Sequence, residues 1–105
     1  MKQVIDHVLY NTDTSVCVAC ENNGRNYHDI YCYEWCLYRT KKGRWFLYEY
    51  GGAATFLATS YGNGTGTVSN SRITPMTKEK VVRFLEKHNL VDVLEEHFSD
   101  TIEEA

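Results

Sequence analysis

The sequence predicts an α+β fold: a small antiparallel β-sheet with a central β-hairpin, packed by short helices and followed by a C-terminal helical pair. Three observations predict it. Two runs rich in Tyr, Trp, Phe and Leu, Ile30 to Thr40 and Arg44 to Tyr50, flank Lys41-Lys42-Gly43, the pattern of a hairpin with a short loop. Thr77 precedes a stretch in which Val81, Val82, Leu85 and His88 share one helical face. Elsewhere, apolar runs of a few residues alternate with Asn-, Gly- and Thr-rich punctuation. A chain of 105 residues has room for one domain, spanning 1–105.

Taken in order, Val4, Ile5, Val8, Leu9 and Tyr10 read as a first strand. Asn11-Thr12-Asp13-Thr14 can cap a short helix over Ser15 to Cys20, which would end before the loop Glu21-Asn22-Asn23-Gly24. In the first hairpin strand Tyr31, Tyr33, Trp35 and Leu37 share one face, and Cys32, Glu34, Cys36 and Tyr38 the other. In the second, Trp45, Leu47 and Glu49 oppose Phe46, Tyr48 and Tyr50, so large groups lie on both faces. Gly51-Gly52 breaks the strand, and Ala53 to Tyr61 carries helical spacing stopped by Gly62. Gly62 to Gly66 reads as a flexible loop, and Thr67 to Thr74 as an edge strand ended by Pro75. Thr77 caps a helix from Lys78 to about His88, and Asn89 ends it. Leu90, Val93, Leu94 and Phe98 place an apolar stripe on a second short helix, with residues 99–105 a frayed acidic tail.

Charge is divided along the chain. The last twenty residues carry seven acids and one base, a net −6, while the first 85 carry +3. That is a dipolar molecule, unlike the uniformly basic chain of a dedicated nucleic-acid binder. The longest uncharged stretch, Tyr50 to Ser71, is too rich in Gly, Ser, Thr and Asn to span a membrane. Met1-Lys2-Gln3 leads directly to Asp6 and His7 with no apolar core of a signal peptide, so a cytoplasmic location is expected.

Four cysteines fall within twenty residues, as Cys17-x-x-Cys20 and Cys32-x-x-x-Cys36. Four thiolates can close a tetrahedral zinc site. Yet Val16-Cys17-Val18-Ala19-Cys20 is apolar and helix-like, with no glycine turn. Cys32 and Cys36 on one regular strand would stand about 13 Å apart. Buried apolar thiols are therefore the first expectation, zinc the second and a disulfide the last. His7, His28, His88 and His97 form no metal spacing, and His28-Asp29 has no activated nucleophile beside it. There is no Gly-x-Ser-x-Gly, no P-loop and no nucleotide fingerprint, so neither an enzyme nor a cofactor is expected.

Two surfaces are candidates for partner binding. Arg39, Lys41, Lys42 and Arg44 make the hairpin tip basic, and Tyr27, Tyr31, Tyr33, Tyr38, Tyr48 and Tyr50 could offer stacking groups nearby, a combination that suits single-stranded nucleic acid or a protein interface. Glu95, Glu96 and Asp100 form an acidic C-terminal face that could imitate nucleic acid in a basic channel. Each also has an ordinary meaning, a solvated turn with core aromatics and a polar helix face. An aromatic-rich small domain could also form a homodimer through an exposed sheet face.

Several stretches together resemble a family. They are Leu9-Tyr10-Asn11-Thr12-Asp13-Thr14, then Cys36-Leu37-Tyr38-Arg39-Thr40-Lys41-Lys42-Gly43-Arg44-Trp45-Phe46-Leu47-Tyr48, then Gly51-Gly52-Ala53 and Ile73-Thr74-Pro75-Met76-Thr77. The pattern is similar to small proteins carried on phages, plasmids and other mobile elements of Firmicutes, and to anti-CRISPR proteins among them. The resemblance implies a non-enzymatic inhibitor that binds a type II CRISPR effector protein or its ribonucleoprotein in a bacterial host cell. It implies no catalytic residues. Family members carry acidic residues where this chain has Trp35-Cys36, and they lack the cysteine pairs, so zinc is not implied. The alternatives are a nucleic-acid-binding accessory protein that uses the hairpin, and a zinc-stabilised structural module.

Overall fold

The computed structural model describes residues 1–61 and 66–105. Two compact units are present, Met1–Pro75 and Met76–Ala105. The fold is α+β. The first unit holds strands β1 (Lys2–Ile5), β2 (Val8–Asn11), β3 (Val16–Asn22), β4 (Tyr33–Arg39), β5 (Trp45–Gly51), β6 (Thr59–Tyr61) and β7 (Gly66–Val68). Strand β8 (Asn70–Met76) leads to helices α1 (Lys78–Lys87) and α2 (Val91–His97). The principal sheet is antiparallel, in the order β3-β4-β5-β8, and β1-β2 and β6-β7 are separate two-stranded ribbons.

The predicted hairpin is the centre of this sheet. Strands β4 and β5 pair from Tyr33 opposite Gly51 to Arg39 opposite Trp45. Gly43 takes φ +85° at the turn, the left-handed conformation that a short hairpin loop requires and glycine adopts without strain. The strand begins at Tyr33, later than the expected Ile30, because residues 26–32 are held in a loop. There Asp29 N–H donates to Asn26 O at 2.9 Å, and Cys32 N–H to Asp29 O at 3.0 Å.

Both faces of the sheet are covered. On one, Phe46 packs with Tyr10 and Ile73, flanked by Ile5, Val8, Tyr38 and Tyr48. Tyr10 meets the Phe46 ring edge-on at 5.5 Å and Tyr38 stacks on it at 5.2 Å. On the other, Trp35, Leu37, Trp45 and Leu47 are buried.

Four expected elements differ. The expected first strand is a ribbon, because Asp6 and His7 both take positive φ and reverse the chain between β1 and β2. Ser15 to Cys20 is not a helix but most of β3. Its β-branched and cysteine side chains suit a half-exposed strand, and pairing with β4 overrides weak helical spacing. Ala53 to Tyr61 is not a helix either: residues 53–57 form turns and Thr59–Tyr61 is β6. Two close approaches fix that segment. A side chain on Gly51 would meet Thr55 Oγ1 and Leu57, and one on Gly52 would meet the backbone of Ile30 and Asp29. Thr67 to Thr74 divides between β7 and β8. Strand β8 is an edge strand as expected, but it runs on through Pro75, where a missing N–H is tolerated at an edge. The Gly62 to Gly66 loop lies outside the described residues for 62–65.

In the second unit Thr77 Oγ1 accepts from Lys80 N–H at 3.2 Å, the expected N-cap. Asn89, at φ 54°, closes α1. Val81, Leu85, Leu94 and Phe98 are buried, as the apolar stripes predict. Ser99–Thr101 forms a short 3-10 turn, and residues 102–105 are exposed. No helix among the described residues is long and apolar enough to cross a membrane.

Candidate functional site

The basic hairpin tip borders a cleft of about 360 Å³ in the first unit. Three chain segments wall it: His7, Val8, Leu9 and Asn11 of the β1-β2 ribbon, Thr14 and Ser15 of the next link, and Thr40, Lys41, Lys42 and Arg44 of the β4-β5 turn. The walls are fixed by local hydrogen bonds. Asn11 organises the link: its Oδ1 accepts from Asp13 N–H at 3.0 Å, and its carbonyl accepts from Ser15 Oγ at 2.7 Å. Thr40 organises the turn, accepting from Gly43 N–H at its carbonyl (2.9 Å) and from Arg44 N–H at its hydroxyl (3.0 Å).

Lys41, Lys42 and Arg44 are exposed, and no ion pair among the described residues engages them. Three cations on a rigid turn, beside hydroxyl and amide groups, suit an anionic ligand such as phosphate or carboxylate. Arg39 does not join them. Its guanidinium lies over the Trp45 ring, 5.4 Å from the centroid, and it is absent from the cleft walls.

The expected tyrosine platform at the tip does not form. Tyr38 and Tyr48 are half-buried against the Phe46 core. Tyr27 and Tyr31 are exposed, but they belong to the loop before β4, roughly 20 Å from the tip by strand rise. There Tyr27 stacks on Tyr50 at 4.7 Å, and Arg25 lies over Tyr31 at 5.5 Å. In the same loop, Asp29 accepts from Tyr31 N–H at 2.8 Å and pairs with Arg25 at 3.2 Å, and these bonds hold its carboxyl below the usual range. Asp29 is thus a loop anchor.

Glu95 and Glu96 are exposed on α2, and Asp100 is exposed on the turn after it. Glu96 lies 3.9 Å from His97 Nε2. The three do not wall the cleft of the second unit, which is lined by Lys78, Glu79, Val82, Arg83, Glu86 and Thr101.

The four-cysteine zinc site is not assembled. Cys32 is buried apart, its thiol facing the Tyr27 carbonyl at 3.5 Å. The remaining three gather with their sulfurs within 4.8 Å of one another. Cys20 and Cys36 are joined by a disulfide, the least expected of the three outcomes, and Cys17 is a free thiol. Their meeting depends on a β-bulge between Cys17 and Ala19. On a regular strand, positions three apart point to opposite faces. The extra residue restores Cys17 to the face of Cys20, opposite Tyr38 and Cys36 respectively. No sequence signal marks that bulge, which is why strand spacing alone missed the cluster.

A buried charge was also missed. Glu49 is only 5% exposed, accepts from the Tyr33 hydroxyl at 2.7 Å and pairs with Arg72. Burial, then the bond to Glu49, pushes the Tyr33 hydroxyl well above its ordinary value. Phe56, 70% exposed, contacts both Tyr33 (5.4 Å) and the Arg72 guanidinium (5.6 Å).

Comparison with protein-family models, with characterised proteins and with solved structures finds no match.

Proposed function

We propose that this chain is a non-enzymatic binding protein that inhibits a nucleic-acid-targeting defence system. Its partner would be the guide-loaded ribonucleoprotein of a type II CRISPR effector, the class that the sequence resemblance implies. The observation that carries the proposal is the basic cleft: Lys41, Lys42 and Arg44 stand unpaired, among the described residues, on a turn fixed by Thr40 and Gly43. Such a site engages phosphates of an RNA backbone by charge and hydrogen bonding. The exposed tyrosines, Tyr27 and Tyr31, lie at the far end of the hairpin and Tyr38 is held against the Phe46 core, so the tip would bind by charge and not by base stacking. The acidic face of Glu95, Glu96 and Asp100 would be a second, independent contact, made with basic protein surface of the same partner.

The test is target-DNA cleavage by the guide-loaded effector, with and without the protein. Dose-dependent inhibition near one molecule per effector supports the proposal. Activity unchanged across several type II effectors refutes it. Salt-sensitive binding to free RNA would then favour the nucleic-acid-binding alternative.

A further inference from the structure

We propose that Cys17, Cys20 and Cys36 form a thiol–disulfide exchange site, in which the Cys17 thiolate attacks Cys20 and expels Cys36. Three observations place the reacting atoms. The free Cys17 sulfur is 3.0 Å from the Cys20 sulfur, which is bonded to Cys36. The bulge between Cys17 and Ala19 sets all three on one face of the β3-β4 pair. Cys17 and Cys20 are exposed, so a base in solvent can reach the Cys17 thiol and take its proton.

The step balances without an outside oxidant. The Cys17 thiol loses its proton to water. A Cys17–Cys20 bond forms as the Cys20–Cys36 bond breaks, and the electron pair leaves on Cys36, which takes up a proton. One disulfide and one thiol are present before and after. What changes is the connection. The Cys20–Cys36 bridge ties β3 to its neighbour β4, across sixteen positions of sequence. The Cys17–Cys20 bridge closes within β3 and leaves the two strands joined by hydrogen bonds alone. Partial burial of the Cys17 sulfur raises its proton affinity, so exchange should accelerate with rising pH. Cys32, buried beside Tyr27, stands outside the exchange.

The test uses the full chain purified without reductant. It is incubated at about pH 8 with N-ethylmaleimide for increasing times, quenched in acid, digested and sequenced by mass spectrometry. Alkylation locks whichever thiol is free. Two products are expected: one labelled at Cys17 with the Cys20–Cys36 bridge, the other labelled at Cys36 with a Cys17–Cys20 bridge. The Cys36-labelled share should disappear in Cys17→Ser. Complete labelling of Cys17 with Cys36 never labelled would overturn the proposal. So would labelling of Cys36 in Cys17→Ser at the wild-type level, or a chain in which no cysteine is bridged.

Discussion

Arg72 and Glu49 are joined across the β5-β8 pair by two guanidinium N–H groups on one carboxylate oxygen, Nε at 3.1 Å and Nη2 at 2.7 Å. The carboxylate is buried, whereas the Arg72 side chain is 49% exposed. Water therefore solvates one partner and not the other, and truncation should be asymmetric. Arg72→Ala leaves a buried carboxylate with Tyr33 as its remaining partner, and should lower stability by about 2 kcal/mol. Glu49→Gln keeps an acceptor for Tyr33 and removes the buried charge, so about 1 kcal/mol is expected. Urea unfolding of both variants measures the difference. Equal losses would show that desolvation of Glu49 does not set the cost.

Alkaline stability should depend on Tyr33. Its neutral phenol donates to Glu49, and the folded state holds that proton more tightly than the ordinary value of 10.0 allows. The unfolded chain loses the proton first as pH rises. The stabilisation is thus complete below about pH 10 and is lost progressively above it. Tyr33→Phe should flatten the fall in urea midpoint between about pH 9 and 11.5. Some slope will remain, because Tyr38 is also raised, chiefly by burial. An unchanged slope in Tyr33→Phe would assign the alkaline transition elsewhere.

The cleft should be separable from the fold. Lys41, Lys42 and Arg44 are exposed and unpaired among the described residues, so reversing all three to Glu should shift stability by no more than about 0.5 kcal/mol per substitution. The same change should reduce binding to the ribonucleoprotein at least about tenfold. If each group meets one phosphate of a single strand, the salt dependence of log K should fall by about 2. Fluorescence anisotropy at several salt concentrations reads both quantities. A variant that binds as wild type would exclude this cleft as the contact.

Gly52 is held by backbone on two sides: its N–H donates to Cys32 O at 2.9 Å, and an added Cβ would lie 2.8 Å from Asp29 O. Neither neighbour is the end of a flexible side chain. Gly52→Ala should therefore cost about 1–3 kcal/mol, by pushing β5 away from the loop before β4. Gly24→Ala is the contrast: open space surrounds it, and its φ of +78° alone sets a cost of about 1 kcal/mol. Thermal melts of the two rank them. The opposite order would mean that residues 29–32 yield easily.

Local chemistry was legible in the sequence, and long-range geometry was not. Gly43 in the hairpin turn, the Thr77 cap and the stripe of Val81 and Leu85 each depend on neighbours within a few residues. Residues 16–20 and 53–61 were misread for a common reason. Their apolar spacing fits a helix and a strand equally over so short a length; pairing with β4 decides the first, and the tight turns after Gly52 with the β6-β7 pairing of Thr59–Tyr61 decide the second. Gly51-Gly52 reads as a break, but the backbone that crowds Gly52, at Ile30 and Asp29, lies more than twenty positions away. Glu49 read as a strand residue like any other, because its partner Arg72 is 23 positions distant. Of the site, the basic residues of the tip were legible. The cleft beside them was not, since two of its walls come from the β1-β2 ribbon and the link after it.

The bulge in β3 has a second effect, on the rim of the sheet. Strand β3 is an outer strand, with Val16 and Cys17 exposed. A straight outer strand offers a regular ladder of amides on which another chain can add, the first step toward fibrils. An extra residue after Cys17 interrupts that ladder and twists the rim out of register with any flat incoming strand. At the opposite rim, Pro75 withholds an N–H from the end of β8. The sheet thus carries a safeguard against runaway self-assembly at each border, one made by backbone irregularity and the other by a missing donor.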